Sequence, residues 1–238
     1  MNKSELISSI RFFCSSNASE ELAKKYNYYF KEKQDFYGLS SPTMTAFTKT
    51  FHKKHILSLP TLLEAAPELL TSNKYEETSL LILILKGLAK QYTPDLLTEL
   101  DQWYKIGIRN WAHADAMAMF ILHEFHARKI IDFTSLETWL SSPFSFQRRS
   151  VPVSMVKWGK KQKNISELLD FNEPLMSDNV REVHQGIGWF LRDCWKVQPQ
   201  VTEDFLLKYK DSSARLIFQY ACEKMTAENK EKFKRHKN

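Results

Sequence analysis

The feature that most constrains the fold of this chain is the even spacing of its long helical segments. Apolar residues recur with the period of an α-helix along most of the sequence. Successive long helices are predicted to begin roughly 35 residues apart, which is the spacing of a two-helix repeat. A single unit of this kind cannot bury its apolar surface, so neighbouring units have to stack. The sequence therefore predicts an all-α fold, a curved α-solenoid in one repeat domain over residues 1–238. An irregular all-α bundle is the alternative.

The helix boundaries follow from periodicity and from residues that favour helix starts. Long helices are predicted to begin near Tyr75, Asn110, Ser145, Asn179 and Ser213, with asparagine or serine as candidate N-caps. Other helices are expected over Ser4–Phe13, Ser19–Phe30, Pro42–Lys54, Pro60–Ser72, Pro94–Tyr104, Asp132–Leu140, Ile165–Met176 and Thr202–Lys208. The polar stretch Lys31–Ser41 is predicted to be a loop, and the lysine-rich tail Asn229–Asn238 a frayed end.

Composition narrows the class of protein. With 6 glycines and 8 prolines in 238 residues, the chain has too few turn residues for many β-hairpins. Its 3 cysteines are far apart, which argues against a disulfide framework or a zinc knuckle. The net charge of +6 permits an anionic partner without identifying one.

Targeting signals and metal sites are not expected. The start Met1–Leu6 does not have the shape of a signal peptide, and the most apolar run, Leu80–Leu85, is too short to span a membrane. His123 and His126 lie three residues apart without an apparent third ligand, so no metal is expected there. The sequence predicts a cytoplasmic protein that has neither a membrane nor a metal partner.

The most informative stretch runs from Arg109 to Phe120. Asn110 is a good N-cap, and Trp111 and Asp115 are four residues apart, so they share one face of the helix. One interpretation buries Trp111 in the core and pairs Asp115 with an arginine. The other makes the indole and the carboxylate parts of one site.

Two further segments carry unusual residues at predicted helices. Arg148 and Arg149 lie near a helix N-terminus, where the macrodipole favours anions, so they indicate either a phosphate site or a structural ion pair, possible for one of them with Asp115. Gly186 and Gly188 lie inside a helical pattern beside Trp189 and indicate either close helix packing or room for a ligand.

Alignment of the repeats could bring Asp115, the two arginines and the two indoles to one concave wall. Aromatic faces attract cations, and a carboxylate both stabilises a cation and orients water. These groups suit a reaction through an oxocarbenium-like sugar cation, such as the loss of a base from a nucleotide.

The segments Asn110–Asp115, Gln147–Arg149 and Gly188–Arg192 resemble the AlkD family of bacterial DNA glycosylases, whose fold consists of HEAT-like helical repeats. The resemblance implies excision of 3-methyladenine and 7-methylguanine from duplex DNA. It implies that Asp115 is the catalytic carboxylate and that Trp111 and Trp189 flank the lesion. Arg149 is similar to the arginine near the catalytic site, with Arg148 as the second choice.

The resemblance also implies that a tyrosine near the N-terminus contacts the lesion, and Tyr26 is the match, with Lys31–Gln34 as extra residues nearby. Ala112 and His113 depart from the family pattern, and His113 is expected either to add positive charge or to face solvent. A cationic purine leaves readily and no lysine adjoins Asp115, so we expect monofunctional hydrolysis that leaves an abasic site and needs no cofactor.

Backbone contacts with DNA are expected from basic residues on the later helices. The candidates are Arg148, Arg192, Arg215, Lys157 and Lys160. The lysines could equally be a solvated helix end. The expected partner is duplex DNA with alkylated bases, bound by a monomer. The alternatives are a non-catalytic helical-repeat protein that binds DNA structures and a helical scaffold for a protein partner.

Overall fold

The computed structural model describes residues 1–235, and these contain fourteen α-helices and one isolated β-bridge, between Asp35 and Lys74. The chain divides into two compact units, Met1–Ala116 and Met117–Asn238. The prediction of an all-α protein is therefore confirmed over the described residues, while a single repeat domain over 1–238 stays a prediction. Within residues 1–235, no helix combines the length and the apolar character needed to cross a membrane.

Unit 1 consists of seven α-helices within its described residues, and each begins within about two residues of a predicted helix start, although the fifth and the seventh end earlier than the predicted Tyr92 and Arg128. The seven helices are α1 (Lys3–Ser16), α2 (Glu20–Asn27), α3 (Ser41–Lys54), α4 (Leu59–Thr71), α5 (Tyr75–Gly87), α6 (Leu96–Ile106) and α7 (Trp111–Ala116). The first four begin at side-chain caps, on Asn2, Ser19, Ser40 and Ser58, each of which accepts a backbone N–H of the first turn. Helix α4 packs against α1, α5 and α6, and this contact buries the aliphatic core of the unit.

The loop before α3 is held by a buried carboxylate. Glu76 in the first turn of α5 is fully buried, and its two carboxylate oxygens accept the backbone N–H groups of Tyr37, Gly38 and Leu39 at 2.9, 2.8 and 3.0 Å. Gly38 has a φ of +89°, and a Cβ there would lie 2.0 Å from the carbonyl oxygen of Ser19. Only glycine suits that position. Glu76 therefore fixes the loop where it enters α3.

Residues 117–235 of unit 2 also form helices joined by loops, with more irregular turns than in unit 1. A π-helix over Met117–Leu122 precedes α8 (His123–Ala127), and 3₁₀ turns cover Phe133–Ser141 and Glu173–Ser177. The remaining helices are α9 (Ser145–Gly159), α10 (Ser166–Phe171), α11 (Arg181–Val197), α12 (Pro199–Lys208), α13 (Arg215–Ala221) and α14 (Ala227–Glu231). The longest helix, α11, packs along both α9 and α13 and organises the core of the unit.

Two expectations about helix ends in unit 2 are wrong. The N-cap positions of α9, α11 and α13 are Phe144, Val180 and Ala214, and none of them provides a side-chain cap, so the predicted asparagine and serine caps are absent from these helices. The lysine-rich tail is not frayed as far as the structure describes it, because Phe233 is buried and Arg235 donates to the carbonyls of Lys210 and Ser213. Residues 236–238 of that tail lie outside the described residues.

Candidate functional site

Helix α7 begins at a well-formed cap. The side-chain oxygen of Asn110 accepts the backbone N–H of His113 at 2.9 Å, as the sequence predicts for an N-cap. The side-chain nitrogen of Asn110 lies 3.2 Å from Gln34 Oε1 and 3.0 Å from His113 Nδ1. Because an amide nitrogen can only donate, His113 Nδ1 is the acceptor. The cap thus connects the start of α7 to the loop before α3.

His113 is buried, which corrects the expectation that it adds charge or faces solvent. Its Nδ1 accepts from Asn110, so Nε2 carries the proton and lies 3.1 Å from the carbonyl oxygen of Tyr75 and 3.0 Å from Ser79 Oγ. The ring also stacks on Tyr75, with centroids 4.4 Å apart. Burial lowers the pKa of His113 to about 4. His113 is therefore a neutral residue that fixes α7 to α5.

Trp111 is a surface residue of unit 1. Its side chain is 41% exposed, and one face of the indole stacks on Phe30, with centroids 5.6 Å apart and planes at 21°. The interpretation that buries Trp111 in the core is therefore wrong. A large aromatic ring that is held on one side and open elsewhere is suited to stacking on a ligand.

Asp115 lies one helical turn after Trp111 on α7 and is half-buried. The spacing of four residues places both side chains on the same side of the helix, as the sequence predicts. Helix α7 thus presents an indole and a carboxylate from one short, firmly capped segment.

A set of aromatic rings supports Trp111 from below. Phe30 contacts Phe36 and Tyr75 at centroid distances of 5.7 and 5.6 Å, and Phe36 lies 4.4 Å from Tyr75. Tyr26, the predicted lesion contact, is half-buried and packs on Phe36 at 5.9 Å. The structure therefore joins Tyr26 to Trp111 through two intervening rings of the same unit.

A cavity of about 280 Å³ adjoins these rings in unit 1. Its lining includes Gln34, Tyr75, Asn110 and His113, together with the charged side chains Lys33, Lys74, Arg109, Glu32 and Asp35. Lys74 pairs with Asp35 at 2.8 Å across this surface. Three of the extra residues, Glu32, Lys33 and Gln34, therefore form part of a polar wall beside the start of α7.

In unit 2, Arg148 has a structural partner. Its guanidinium binds both carboxylate oxygens of Asp178, at 2.6 and 3.2 Å, and donates to the carbonyl oxygen of Ser142 at 2.5 Å. The two side chains are only 13% and 7% exposed. Of the two interpretations of the arginine pair, a phosphate site or a structural ion pair, the ion pair therefore applies to Arg148, and its carboxylate is that of Asp178. The prediction that Arg148 binds DNA phosphate loses its support, because Nε, Nη1 and Nη2 all donate within the unit.

Arg149 is buried on the next position of α9. Its Nη1 donates to the carbonyl oxygen of Glu182 at 2.7 Å, and its side chain lies against α11. A Cβ on Gly186 would lie 2.9 Å from Arg149 Cγ, so the glycine is what lets the two helices approach here. The side chain of Arg149 is therefore fixed by α11, and its contact residue Gly186 lies three positions before Trp189.

Gly188 is explained in the same way. A Cβ there would lie 2.6 Å from Tyr220 Cβ and 2.9 Å from the carbonyl oxygen of Ile217 on α13. Of the two explanations open from the sequence, close helix packing therefore applies to both glycines. Trp189 follows directly and is half-buried on α11.

Asp193 forms ion pairs with three basic residues of unit 2. It is 5% exposed, and Lys160, Lys196 and Arg192 approach its oxygens to 3.0, 3.2 and 3.5 Å. Burial raises the pKa of Asp193, but the hydrogen bonds from the two lysines outweigh this and hold it below the usual value. Arg192 also pairs with Glu223. The predicted DNA contacts Lys160 and Arg192 thus have carboxylate partners, while the Lys160 side chain stays about half exposed.

The other predicted DNA contacts lie apart from this cluster. Lys157 is exposed, with its ammonium 6.0 Å from the Phe120 ring. Arg215 donates to the carbonyl oxygen of Phe233 at 2.9 Å and lies over the Phe218 ring at 5.1 Å. Arg215 therefore ties α13 to the C-terminal segment.

His123 and His126 do not form part of a metal cluster, since residues 1–235 contain no group of three or more His, Cys, Asp or Glu side chains placed to hold a metal. His126 is buried and stacks on Trp158, with centroids 5.1 Å apart. Burial lowers its pKa to about 4. It is a core histidine of unit 2.

Sequence reasoning missed several residues that shape the surface around α7. Phe30, Phe36 and Tyr75 support the indole, and Gln34 links the loop to the cap residue Asn110. One signal was available, because Tyr26, Tyr28, Tyr29 and Phe30 crowd four aromatic rings into the end of a polar helix. The sequence contains no signal for the contact of Tyr75 with His113, since 38 positions separate the two residues.

Comparison with known proteins places these observations in a family. Residues 14–225 match the family described as DNA alkylation repair enzyme. A structure from Enterococcus faecalis described as a predicted DNA alkylation repair enzyme is similar, with a TM-score of 0.77 and 16% identity, covering 89% of this chain and 98% of that one. AlkD2 from Streptococcus mutans has a TM-score of 0.59 and 17% identity, covering 87% and 97%. No curated protein matches significantly.

At these identities the solved structures are similar in fold, and they confirm the predicted all-α, solenoid-like class. The family match covers most of the sequence and confirms the resemblance carried by the segments around Asp115, Arg149 and Trp189. The chain belongs to the DNA alkylation repair enzyme family.

Proposed function

We propose that this protein is a DNA N-glycosylase that excises cationic alkylated purines, 3-methyladenine and 7-methylguanine, from duplex DNA. The observation that carries the proposal is the arrangement on α7. An indole that is 41% exposed is held by Phe30, and the half-buried carboxylate of Asp115 follows one turn later. An aromatic face and a carboxylate are the two groups that best stabilise a cationic sugar.

The reaction follows from this pair. The N-glycosidic bond of the alkylated nucleotide breaks, and its electrons neutralise the cationic purine as it leaves. The remaining sugar has oxocarbenium character, which the carboxylate of Asp115 and the face of Trp111 stabilise. Asp115 orients a water, takes its proton, and the water oxygen bonds to the anomeric carbon. An abasic site and a free purine result.

The purine needs no protonation, because alkylation already makes it a good leaving group. Helix α7 carries no lysine that could form a Schiff base with the sugar, so hydrolysis without strand cleavage is the expected outcome. These steps need neither a metal nor a cofactor. We expect the protein to act as a monomer in the bacterial cytoplasm, on DNA of the nucleoid.

Residues of unit 2 enter the proposal through the family resemblance. Trp189 is proposed to flank the lesion, and Arg149 is proposed to interact with the nucleotide near the scissile bond. Tyr26 is proposed as a further lesion contact. Lys157, Lys160, Arg192 and Arg215 are proposed backbone contacts, and Arg148 is left out because Asp178 binds it.

The test is release of 7-methylguanine from methylated duplex DNA by wild type and by Asp115→Asn. We expect the substitution to reduce release by about a hundredfold to ten-thousandfold, the usual contribution of a positioned base. DNA affinity should be retained. Asp95→Asn is the matched control, because it makes the same chemical change at an exposed carboxylate of unit 1, and it should leave release unchanged.

The rival functions predict different results in the same assay. A protein that binds DNA structures without catalysis would bind the duplex but release no base, in wild type and in both variants. A scaffold for a protein partner would neither bind DNA in a salt-dependent way nor release a base. Either result would refute the glycosylase proposal.

A further inference from the structure

Two tyrosines that are not among the predicted lesion contacts are largely exposed to solvent, and they directly precede Phe30, the ring that stacks on Trp111. Tyr28 is 87% exposed and Tyr29 is 62% exposed, at the end of α2 in unit 1. Their rings contact each other edge to face, with centroids 6.0 Å apart and planes at 85°. Exposed large aromatic side chains in a pair have no role in the core of this unit. Such a pair marks an interaction surface.

The turn that carries the tyrosines is firmly built. Tyr29 N–H donates to the carbonyl oxygen of Tyr26 at 3.0 Å, and Phe30 N–H donates to that of Asn27 at 3.2 Å. The side chain of Asn27 donates to the carbonyl oxygen of Ala23 at 3.2 Å and accepts the N–H of Gln34 at 2.7 Å. One asparagine therefore closes the turn at both ends.

The same turn is connected to the start of α7 by two contacts. Phe30, which follows Tyr29, stacks on Trp111 at 5.6 Å, and Gln34 accepts a hydrogen bond from Asn110 at 3.2 Å. The turn that carries the exposed tyrosines is therefore fixed relative to Trp111.

The charge around the tyrosines indicates the kind of partner. Four lysines and one glutamate lie in the ten residues from Lys24 to Lys33. Lys25, Lys31 and Lys33 are exposed, and Lys24 pairs only with the exposed Glu20. Aromatic rings flanked by lysines suit nucleic acid, because the rings stack on bases while the ammonium groups follow the phosphates. A protein partner would match this surface less well.

We propose that Tyr28 and Tyr29 form a base-stacking element that engages an unstacked nucleobase of DNA next to the nucleotide at Trp111. Their perpendicular planes allow one ring to stack on the base while the other packs against it by its edge or on the sugar. The element gives the protein a preference for duplexes with a base already out of the stack. The inference rests on the proposed DNA partner, but it does not depend on catalysis.

The test compares two DNA duplexes that differ by one unpaired base, measured by fluorescence anisotropy with the full-length protein. Tyr28→Ala and Tyr29→Ala should each weaken binding of the bulged duplex by about tenfold, which corresponds to about 1.4 kcal/mol and lies within the range for loss of one base–aromatic stack. Binding of the fully paired duplex should change much less. Tyr28→Phe and Tyr29→Phe keep the rings and should keep the preference.

A base analogue gives a second readout that a structural role would not move. With 2-aminopurine as the unpaired base, wild type and the two Phe variants should quench its fluorescence, and the Ala variants should not. Phe12→Ala is the matched control, because Phe12 is another exposed ring of unit 1, at 74%, and lies on a different helix, α1. It should leave both readouts unchanged.

Each contrary result has a distinct meaning. If wild type binds DNA and both Ala variants retain the preference and the quenching, this inference is overturned while the glycosylase proposal stands. If wild type binds neither duplex, both are overturned. If sedimentation shows a dimer that the Ala variants abolish without any change in DNA binding, the tyrosines join two copies of the chain and the inference is again wrong.

Discussion

The two units fix the helices that carry the candidate site residues by different physical means. In unit 1, α7 is held by neutral groups, the amide of Asn110 and the ring of His113, together with stacked aromatic rings. In unit 2, α9 and α11 are held by charges, through the pair of Arg148 with Asp178 and the cations around Asp193, and by glycines at helix contacts. Salt has little effect on neutral networks, whereas it weakens ion pairs that solvent can reach, such as those of Lys160 and Lys196 with Asp193.

This difference separates arginines and lysines that stabilise the fold from those that remain open to a ligand. It also predicts which perturbation weakens which unit. Four experiments test the comparison, and the expected effects decrease from one to the next.

The largest effect is expected from breaking the buried ion pair of unit 2. Arg148→Met leaves the carboxylate of Asp178 buried without its guanidinium, so the free energy of unfolding should fall by about 3 kcal/mol or more in urea titrations. Arg181→Met is the control, since Arg181 is exposed on α11, and it should change stability by less than about 0.5 kcal/mol. If Arg148→Met instead keeps its stability and loses DNA affinity, Arg148 is a DNA contact after all.

The second experiment uses acid to compare the two buried histidines. The pKa of His113 and that of His126 both fall from 6.5 to about 4 on folding, with burial as the main cause. Between these values the unfolded chain binds more protons, so stability is lost as the pH falls from about 6.5 towards 4. At pH 5 each of the two histidines should lower the free energy of unfolding by about 2 kcal/mol relative to neutral pH, as measured by urea unfolding.

Matched substitutions sharpen that comparison. Both ring nitrogens of His113 are hydrogen-bonded, whereas Nδ1 of His126 has no hydrogen-bond partner among the described residues. His113→Phe should therefore cost about 1–3 kcal/mol at pH 7, while His126→Phe should be nearly neutral there. At pH 5, His126→Phe should be more stable than wild type. Equal costs of the two substitutions at pH 7 would contradict the distinction.

The third experiment tests the glycine contact of α11 with α13. Gly188→Ala should lower the free energy of unfolding by about 1–2 kcal/mol, because the new Cβ overlaps the backbone of Ile217. In an open helix the same change would add about 1 kcal/mol. Gly159→Ala is the control, since its Cβ would meet only Leu168 Cδ1 at 3.6 Å, and it should not destabilise. Equal results for the two would mean that the close approach at Gly188 is easily relieved.

The smallest effect concerns the lysines of α9. Lys157 is exposed, while Lys160 pairs with the buried Asp193. If Lys157 contacts a phosphate, Lys157→Gln should reduce the slope of log affinity against log salt by about 0.9 without affecting stability. Lys160→Gln should also lower stability, because it removes a partner of Asp193. An unchanged slope for Lys157→Gln would mark that end of α9 as a solvated helix end.

The sequence predicts most helices of this fold because periodicity and caps are local properties. The bounds of α3, α4 and α6 agree with the prediction within about two residues, a typical uncertainty of helix ends. The π-helix at Met117–Leu122 was not predicted, since the chain there reads as uninterrupted helix. Local sequence gives no signal for an extra residue in a helical turn.

The candidate site was less predictable, because its support comes from distant residues. The residue types at Trp111 and Asp115 and the cap at Asn110 are visible in the sequence, but the exposure of Trp111 depends on Phe30 and on the loop after it. The partners of Arg148 and Arg149 were equally hard to predict. Arg148 finds Asp178 at a separation of 30 positions, and nothing near Arg148 in the chain distinguishes it from Arg149.

The buried carboxylate of Glu76 bears on how such a chain can change during evolution. Glu76 holds the chain at Tyr37, Gly38 and Leu39, where it enters α3, and Asn27 at the end of α2 accepts the N–H of Gln34, so the ends of both helices are anchored independently of the nine residues between Asn27 and Tyr37. Doubling the length of such a loop costs only about 0.6 kcal/mol in closure entropy. Insertions and deletions can therefore accumulate there while α2 and α3 keep their places. The segment with the two exposed tyrosines is the part of unit 1 where a new contact can arise at the least cost to the fold.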